Sequence, residues 1–132
     1  MSKVFTDVEV FLHACGQHTP KEPDPNVSDL AELYKKLIKE EVEEFWEAEA
    51  ASDDAEQLDA CFDMIWVIVG YMKARGWNCS AAWDEGAKSN LSKIDVKTGF
   101  VNRREDGKIL KPVDWQPPNF KKFVVTPIKA VK

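Results

Sequence analysis

The residues best suited to chemistry are two pairs of carboxylates, Glu41 with Glu44 and Asp59 with Asp63. The members of each pair lie three or four positions apart, so each pair occupies one face of a helix. Burying several like charges together is costly unless protons or cations neutralise them. Divalent cations such as Mg²⁺ prefer oxygen ligands and commonly join carboxylates to substrate phosphates. The four residues therefore predict one metal site shared by two helices.

The first of these helices must carry its glutamates on an inward stripe. Leu30, Tyr34 and Leu37 step by four and three, and the same ladder continues through Glu41 and Glu44. The other interpretation of a glutamate run is a solvated acidic face. We accept that interpretation for the glutamates that fall off the ladder, namely Glu43, Glu47 and Glu49.

The second helix follows after a short break at 50–54. Its ladder of Glu56, Asp59, Asp63, Trp66 and Gly70 is embedded in the run 60–69, which is apolar almost all round and typical of a central bundle helix. A break this short makes the two helices antiparallel neighbours, which places the two carboxylate pairs opposite each other.

Capping residues bound these helices. The sequence predicts a capping box at Thr6 and Glu9 for a first helix that ends at Gly16, and Asn26 or Ser28 as the next N-cap. Asp53 with Glu56 repeats the capping pattern. We also expect Gly76 to end the second of these helices and Ser80 to start a third long helix, which runs through about Ser92.

One ridge of that third helix carries Trp83, Gly86, Asn90 and Lys93. The amide and the ammonium can address a phosphate or a nucleoside edge. On spacing alone, a solvated Lys beside a frayed helix end remains equally open.

Helical periodicity ends after Ile94. Segments 100–104 and 108–111 predict a small hairpin around Asp106 and Gly107. Residues 112–120, with three prolines, predict a tail wrapped over the bundle, and residues 123–125 a final strand or a contact with another subunit.

The 132 residues suit one domain, with a helical core at about 5–94 and a wrapping tail at about 95–132. We expect an all-α antiparallel bundle. We expect no membrane span, because the apolar run is too short and interrupted, and we expect no secretion signal. Three widely spaced cysteines are typical of reduced thiols in a cytoplasmic compartment, and a structural zinc site is not expected.

Charge divides unevenly along the chain. Residues 1–86 hold 7 Lys and Arg against 19 Asp and Glu, whereas residues 87–132 hold 11 against 4. The net charge of -5 argues against a nucleic-acid partner. An acidic body with a basic tail suits an anionic ligand that arrives with cations. Attraction between neighbouring subunits would explain the same division.

The segment 39–44, which reads Lys-Glu-Glu-Val-Glu-Glu, resembles the E-E-x-x-E element of the MazG-like all-α nucleoside triphosphate pyrophosphohydrolases. That group includes dimeric dUTPases and phosphoribosyl-ATP pyrophosphohydrolases. Residues 59–66 are similar to the acidic pair and apolar run of its signature. Residues 11–23, 89–93 and 104–111 are similar to segments of small phage-type members.

The register of the second motif departs from the family. Its E-x-x-D spacing is met by Glu56 and Asp59, but the apolar run that normally follows the aspartate follows Asp63 here. Aligning on the apolar run makes Asp59 and Asp63 the ligands and leaves Glu56 as an accessory group.

The resemblance implies hydrolysis of a nucleoside triphosphate to the monophosphate and pyrophosphate. It implies two or more Mg²⁺ ions, replaceable by Mn²⁺, on Glu41, Glu44, Asp59 and Asp63, with Glu40 or Glu56 as the base that activates water. Residues expected to bind the substrate are Asn90, Lys93, Arg104, Lys108, Lys111, Trp66 and Trp83.

Some phage-type members, the MazZ-like group, are purine-specific, so dGTP or GTP is the favoured substrate and dUTP or dCTP the alternative. The resemblance also implies a homodimer or homotetramer. Two other classes stay open: a metal-stabilised helical interaction module, and a calcium-binding protein, for which the usual D-x-D-x-D-G loop is missing.

Overall fold

The computed structural model describes residues 2–126, which form five helices and no strand, so the predicted all-α class is confirmed. Within that range, β-type pairing is limited to two isolated antiparallel bridges, Ile94 with Val101 and Arg103 with Ile109. No helix in it is long and apolar enough to cross a membrane. The helices are α1 (Lys3–Ala14), α2 (Asp29–Ala50), α3 (Asp54–Ala74), α4 (Cys79–Leu91) and α5 (Lys121–Val124).

Helices α2 and α3 form the centre of the fold as an antiparallel pair. The turn between them closes when the Asp53 N–H donates to the Ala48 carbonyl at 2.9 Å. Helix α1 packs along α3 in the opposite direction, since the Phe11 ring contacts Trp66 at 5.5 Å while Glu9 pairs with Lys73 further along α3. The core lies between these three helices, with the start of α4 closing one end. Its buried members are Phe5, Val8, Leu12, Tyr34, Val67, Val69 and Cys79.

Three of the predicted helix boundaries are confirmed. The Ser28 hydroxyl accepts from the Ala31 N–H at 3.2 Å, and the Asp53 carboxylate accepts from the Glu56 N–H at 3.0 Å. Gly76 follows α3 with a φ of +71°, the left-handed conformation that favours glycine at a helix end.

Two predicted caps are wrong. Helix α1 begins earlier than the Thr6 capping box implies, because Ser2 is its N-cap and Thr6 donates its hydroxyl to the Ser2 carbonyl at 3.1 Å. Helix α4 is capped by Asn78 instead of Ser80, with the Asn78 oxygen accepting from the Ala81 N–H at 3.0 Å. In both cases the side chain that caps the helix lies a few residues before the predicted one.

The predicted hairpin is present as a turn with one isolated bridge, and the strand predicted as one alternative for residues 123–125 is not formed. Around Asp106 and Gly107, the Arg104 N–H donates to the Lys108 carbonyl at 2.8 Å and the Leu110 N–H to Asn102 at 2.7 Å. Residues 121–124 form the single helical turn α5 instead of a strand. This turn holds the Lys122 ammonium 3.3 Å from a Glu85 oxygen on α4.

The apolar run 60–69 predicts a central bundle helix, but other helices cover only part of the circumference of α3 in this single chain. One flank faces away from α1 and α2, with Leu58 71%, Phe62 56% and Ile65 54% exposed. Large apolar residues that are exposed in a row along one helix are typical of an interface. We call Leu58, Phe62 and Ile65 the exposed flank of α3.

Candidate active site

Helices α2 and α3 place the four predicted metal ligands in two facing pairs. Glu41 and Asp63 are half-buried, whereas Glu44 and Asp59 are exposed. On α2 the Glu41 carboxyl is within hydrogen-bonding reach of Glu44, and on α3 Asp63 is within reach of Asp59. The two pairs also repel each other across the helix interface, because the charge of Asp63 acts on Glu41 and that of Glu44 acts on Asp63.

The electrostatics of the cluster favour protonation or a bound cation. Burial raises the pKa of Glu41 to about 7, and the contact with Glu44 and the charges of Asp63, Glu44 and Asp59 add to the effect. Burial also raises the pKa of Asp63, followed by the charges of Asp59 and Glu44. The protein and the nearby solvent therefore stabilise the negative charge of this cluster poorly at neutral pH.

The donor set fits a hard divalent cation. The Glu41 Oε2 atom is buried and has no hydrogen-bond partner within residues 2–126, and an orphaned carboxylate oxygen of this kind is costly unless a cation or donor meets it. Among the same residues, no three His, Cys, Asp or Glu side chains already stand close enough to enclose one ion. The two carboxylate pairs face each other, and Glu44 and Asp59 are exposed to solvent.

The predicted bases lie at the edge of this cluster. Glu40 and Glu56 are exposed. Glu56 lines an open depression of about 430 Å³ at the α2–α3 turn together with Glu44 and Glu47. The position of Glu47 off the ladder predicts a solvated face, and Glu47 is exposed, but it lies beside the site. The tight α2–α3 turn brings Glu47 close to Glu56, and the helix ladder alone does not indicate this.

The two tryptophans expected to bind the base lie apart from each other. Trp66 is half-buried, with its ring packed on Phe11 at 5.5 Å and on Phe62 at 5.8 Å. Trp83 is 68% exposed on α4 and lines an apolar cavity of about 310 Å³ with Asn90, Gly86 and Phe120. Trp66 follows Asp63 by three residues on α3, so the two side chains are neighbours on the helix surface.

The basic residues predicted to bind phosphate form groups of their own. Lys93 donates to the Asn90 side chain at 3.3 Å, and the ammonium groups of Lys93 and Lys111 lie 5.4 Å and 4.4 Å from the centre of the Trp115 ring. Arg104 binds Asp106, with Nε to Oδ1 at 3.1 Å, and the Lys108 N–H donates to the same carboxylate. Within the described residues, none of these cations pairs with the four carboxylates.

Sequence reasoning missed the residues that fix the basic tail to α4. The buried Ser89 hydroxyl donates to the Gln116 carbonyl at 2.9 Å, and the Trp115 indole N–H donates back to the Ser89 carbonyl at 3.0 Å. These two hydrogen bonds hold the Trp115 indole in place, and the Lys93 and Lys111 ammonium groups lie over its ring. A lone serine inside a helix gives no signal of a partner 27 residues later.

A model of the phosphoribosyl-ATP pyrophosphohydrolase family matches residues 6–90. This is well over half of the chain, which therefore belongs to that family, a group related to the MazG-like all-α pyrophosphohydrolases. A search of curated proteins found no match. The matched segment contains all four carboxylates and ends at Asn90, so Lys93 and the basic tail lie beyond it. The reaction class of the family is pyrophosphohydrolysis, the cleavage of a phosphoric anhydride.

Proposed function

We propose that this protein is a Mg²⁺-dependent nucleoside triphosphate pyrophosphohydrolase, which converts a (deoxy)nucleoside triphosphate and water to the monophosphate and pyrophosphate. The observation that carries the proposal is the orphaned, buried oxygen of Glu41 among three further carboxylates on two facing helices. Membership of a pyrophosphohydrolase family supports the same reaction class.

Glu41, Glu44, Asp59 and Asp63 would hold two or more Mg²⁺ ions, or Mn²⁺ in their place. The bound ions would neutralise the triphosphate and lower the pKa of a coordinated water. Glu40 or Glu56 accepts a proton from the attacking water in this scheme, since both are exposed carboxylates beside the cluster. Glu56 is supported further by the depression that it lines with Glu44.

Asn90, Lys93, Arg104, Lys108 and Lys111 bind the sugar and the outer phosphates in this proposal. Within residues 2–126 they make no ion pair with the four carboxylates, so we place them at the site of a neighbouring subunit. The exposed flank of α3 supports a homodimer or homotetramer. Light scattering tests the assembly: Ile65→Lys should dissociate it, whereas Val96→Lys, at a residue that is 96% exposed on the tail, should not.

The favoured substrate is a purine nucleotide, dGTP or GTP, with dUTP or dCTP as the alternative. Trp66, close to the carboxylates on α3, and Trp83 are the aromatic surfaces offered to the base. The family match favours phosphoribosyl-ATP as a second candidate, because that compound carries the same kind of anhydride. We also propose a cytoplasmic location, which the three free cysteines support.

The decisive experiment incubates the protein with Mg²⁺ and a panel of ribo- and deoxynucleoside triphosphates and phosphoribosyl-ATP, and separates pyrophosphate from single phosphate. We expect pyrophosphate with at least one of them. Glu41→Gln and Asp63→Asn should abolish the activity, and Glu43→Gln, an exposed glutamate off the inward ladder, should retain it. If no compound is cleaved although Mg²⁺ still stabilises the fold, the protein is a metal-stabilised interaction module instead.

A further inference from the structure

The Trp115 indole lies beside two lysine ammonium groups that come from separate parts of the chain. The Lys93 ammonium, just after α4, is 5.4 Å from the centre of the Trp115 ring, and the Lys111 ammonium, in the tail, is 4.4 Å from it. Both distances are within the reach of about 6 Å over which the electron-rich face of an indole attracts a cation. One aromatic ring therefore holds two cations in one small region of the surface.

The position of this ring is fixed by α4. Its indole N–H donates to the Ser89 carbonyl at 3.0 Å, and the Ser89 hydroxyl donates to the carbonyl of the next tail residue, Gln116, at 2.9 Å. The Trp115 backbone N–H also donates to the Pro112 carbonyl at 3.0 Å, which closes a turn on the other side. A half-buried ring anchored in this way gives two flexible lysine side chains a defined place to lie.

The two ammonium groups are not neutralised by the protein in the part of the chain that the structure describes. Neither Lys93 nor Lys111 forms an ion pair there, and Lys93 donates to the neutral side chain of Asn90 at 3.3 Å. By contrast, Lys122 of the same tail pairs with Glu85 at 3.3 Å. Two like charges on one ring repel each other, so an anion that reaches both is favoured.

Adjacent phosphates match this pair of cations in charge and in hydrogen bonding. A single carboxylate carries one charge and would leave one ammonium without compensation, whereas two linked phosphates carry a charge and several acceptor oxygens for each lysine. The Asn90 oxygen accepts from Lys93, which leaves the Asn90 amide N–H groups to donate to a phosphate oxygen. The three side chains together therefore suit a polyphosphate.

We propose that Trp115 is a positioning residue, which holds Lys93 and Lys111 together as a clamp for the two outer phosphates of the substrate, those released as pyrophosphate. The inference rests on the proposed function, which assigns the two lysines to those phosphates, and it adds the residue that brings them together. Trp115 acts through the lysines and does not touch the reacting atoms. It lies beyond the segment 6–90 that the family model matches, so the clamp belongs to the tail of this chain.

The clamp is tested first without hydrolysis. Inorganic tripolyphosphate, which has the phosphates but no sugar or base, is titrated into the full chain in EDTA at a constant low ionic strength, and the heat of binding is measured. EDTA prevents a metal from linking the phosphates to the carboxylate cluster, and low ionic strength limits screening. Lys93→Met and Lys111→Met should each weaken binding by about tenfold, the loss of one charge-assisted contact.

Lys121→Met is the matched control for these two variants. It removes an exposed charge from α5 that does not lie over the Trp115 ring, so the affinity should stay within about twofold of the wild type. The absence of saturable binding to the wild type would overturn the proposal. An equal loss of affinity in all three variants would also overturn it, since the tail would then attract the anion only through its overall charge.

Two variants of Trp115 separate the ring from the attachment of the tail. Trp115→Phe and Trp115→Leu both lose the indole N–H that binds Ser89, but only the leucine variant lacks an aromatic face for the cations. Trp115→Leu should therefore weaken tripolyphosphate binding severalfold more than Trp115→Phe does. Equal affinities for the two variants would show that Trp115 only attaches the tail, and the positioning role would be wrong.

Steady-state kinetics on a cleaved triphosphate give a second measurement. Trp115→Leu should raise KM severalfold with a smaller change in kcat, because the lysines bind the outer phosphates in both the ground state and the transition state. Inhibition by the monophosphate product, which lacks those phosphates, should not change. A rise in its inhibition constant equal to the rise in KM would contradict the clamp. If no compound is cleaved, the proposed function fails, and the tripolyphosphate titration still decides whether the clamp exists.

Discussion

The ring of Tyr34 on α2 lies directly against the backbone of α3 at Gly70. A Cβ atom at position 70 would be 2.3 Å from Tyr34 Cε1, so the ring occupies the space that any other residue would need. Seven residues, two helical turns, separate Tyr34 from Glu41, and seven separate Gly70 from Asp63. In an antiparallel pair, this contact therefore sets the register that places Glu41 opposite Asp63.

Replacing Gly70 with alanine should force these helices apart. Overpacking of this kind costs about 1–3 kcal/mol, and the gain in helix propensity offsets only part of it. Urea unfolding measures the loss of stability. The double variant Gly70→Ala with Tyr34→Leu should recover part of the loss, because the smaller side chain removes the ring that collides. A single variant as stable as the wild type would show that the register does not depend on this contact.

Gly76, just after α3, and Gly16, just after α1, allow a matched comparison of two glycines that follow helices. Both have a positive φ, +71° and +69°, but a Cβ at Gly76 would be 2.0 Å from the Glu22 carbonyl oxygen, whereas Gly16 has nothing within 4 Å. Gly16→Ala should cost about 1 kcal/mol for the left-handed conformation alone. Gly76→Ala should cost several times more, because the connector at Glu22 must also move. Equal melting temperatures for the two variants would contradict this difference.

The α2–α3 pair and the half-buried positions of Glu41 and Asp63 could be predicted because local chemistry determines them, whereas Glu44 and Asp59, which lie on the same ladders, are exposed. The inward ladder passes through Tyr34 and ends at Ala48, both of which are buried, and Glu41 falls between them on the same stripe. The caps Ser28 and Asp53 bond to amides three residues away. Periodicity and caps act within a few turns of chain, so one sequence reveals them.

The remaining features depend on contacts that are distant in the chain. The apolar run on α3 predicts burial, but α1 and α2 cover only part of its circumference, so Phe62 and Ile65 are exposed in one chain. Ser89 gives no sign of its bond to Gln116. The basic residues of the tail resemble phosphate ligands by type, yet Lys111 lies on Trp115. Their positions follow from how the tail folds back, which no local pattern encodes.

The bond from Ser89 to the tail gives a third prediction. Ser89→Ala leaves the Gln116 carbonyl without its donor and should cost about 1 kcal/mol. The tail should then detach from α4 more often than in the wild type. Limited proteolysis should cut it faster, while the thermal unfolding of the helical core changes little. Trp115→Phe, which keeps a ring but loses the indole N–H, should have the same effect. Unchanged cleavage in both variants would show that other contacts hold the tail.

Divalent metal should stabilise the fold through the carboxylate cluster. Ligand that binds only the native state raises the melting temperature, so added Mg²⁺ should raise it in the wild type. Glu44→Gln should lose most of that rise, and the matched control Glu43→Gln, on the same helix and off the inward ladder, should keep it. Chelation with EDTA should restore the lower melting temperature. A rise of equal size in both variants would place the metal elsewhere.

Without metal, Glu41 should make stability fall as pH rises. Its pKa is about 7 in the folded chain, above the ordinary value of 4.5, so between these values the native state binds a proton that the unfolded state has released. The contribution of Glu41 is therefore most favourable below about pH 4.5 and is lost as pH rises through 7. After allowance for solvent screening of a half-buried group, this loss is about 2 kcal/mol.

Glu41→Gln isolates that effect, since the amide cannot ionise. In EDTA the variant should be more stable than the wild type at pH 8, and the two should converge toward pH 5. Chemical unfolding across this pH range measures the difference. Saturating Mg²⁺ should reverse the order at pH 8, because the metal stabilises the ionised carboxylate that the amide lacks. If the free energies of unfolding of the two proteins differ by the same amount at every pH, ionisation of Glu41 does not destabilise the native state.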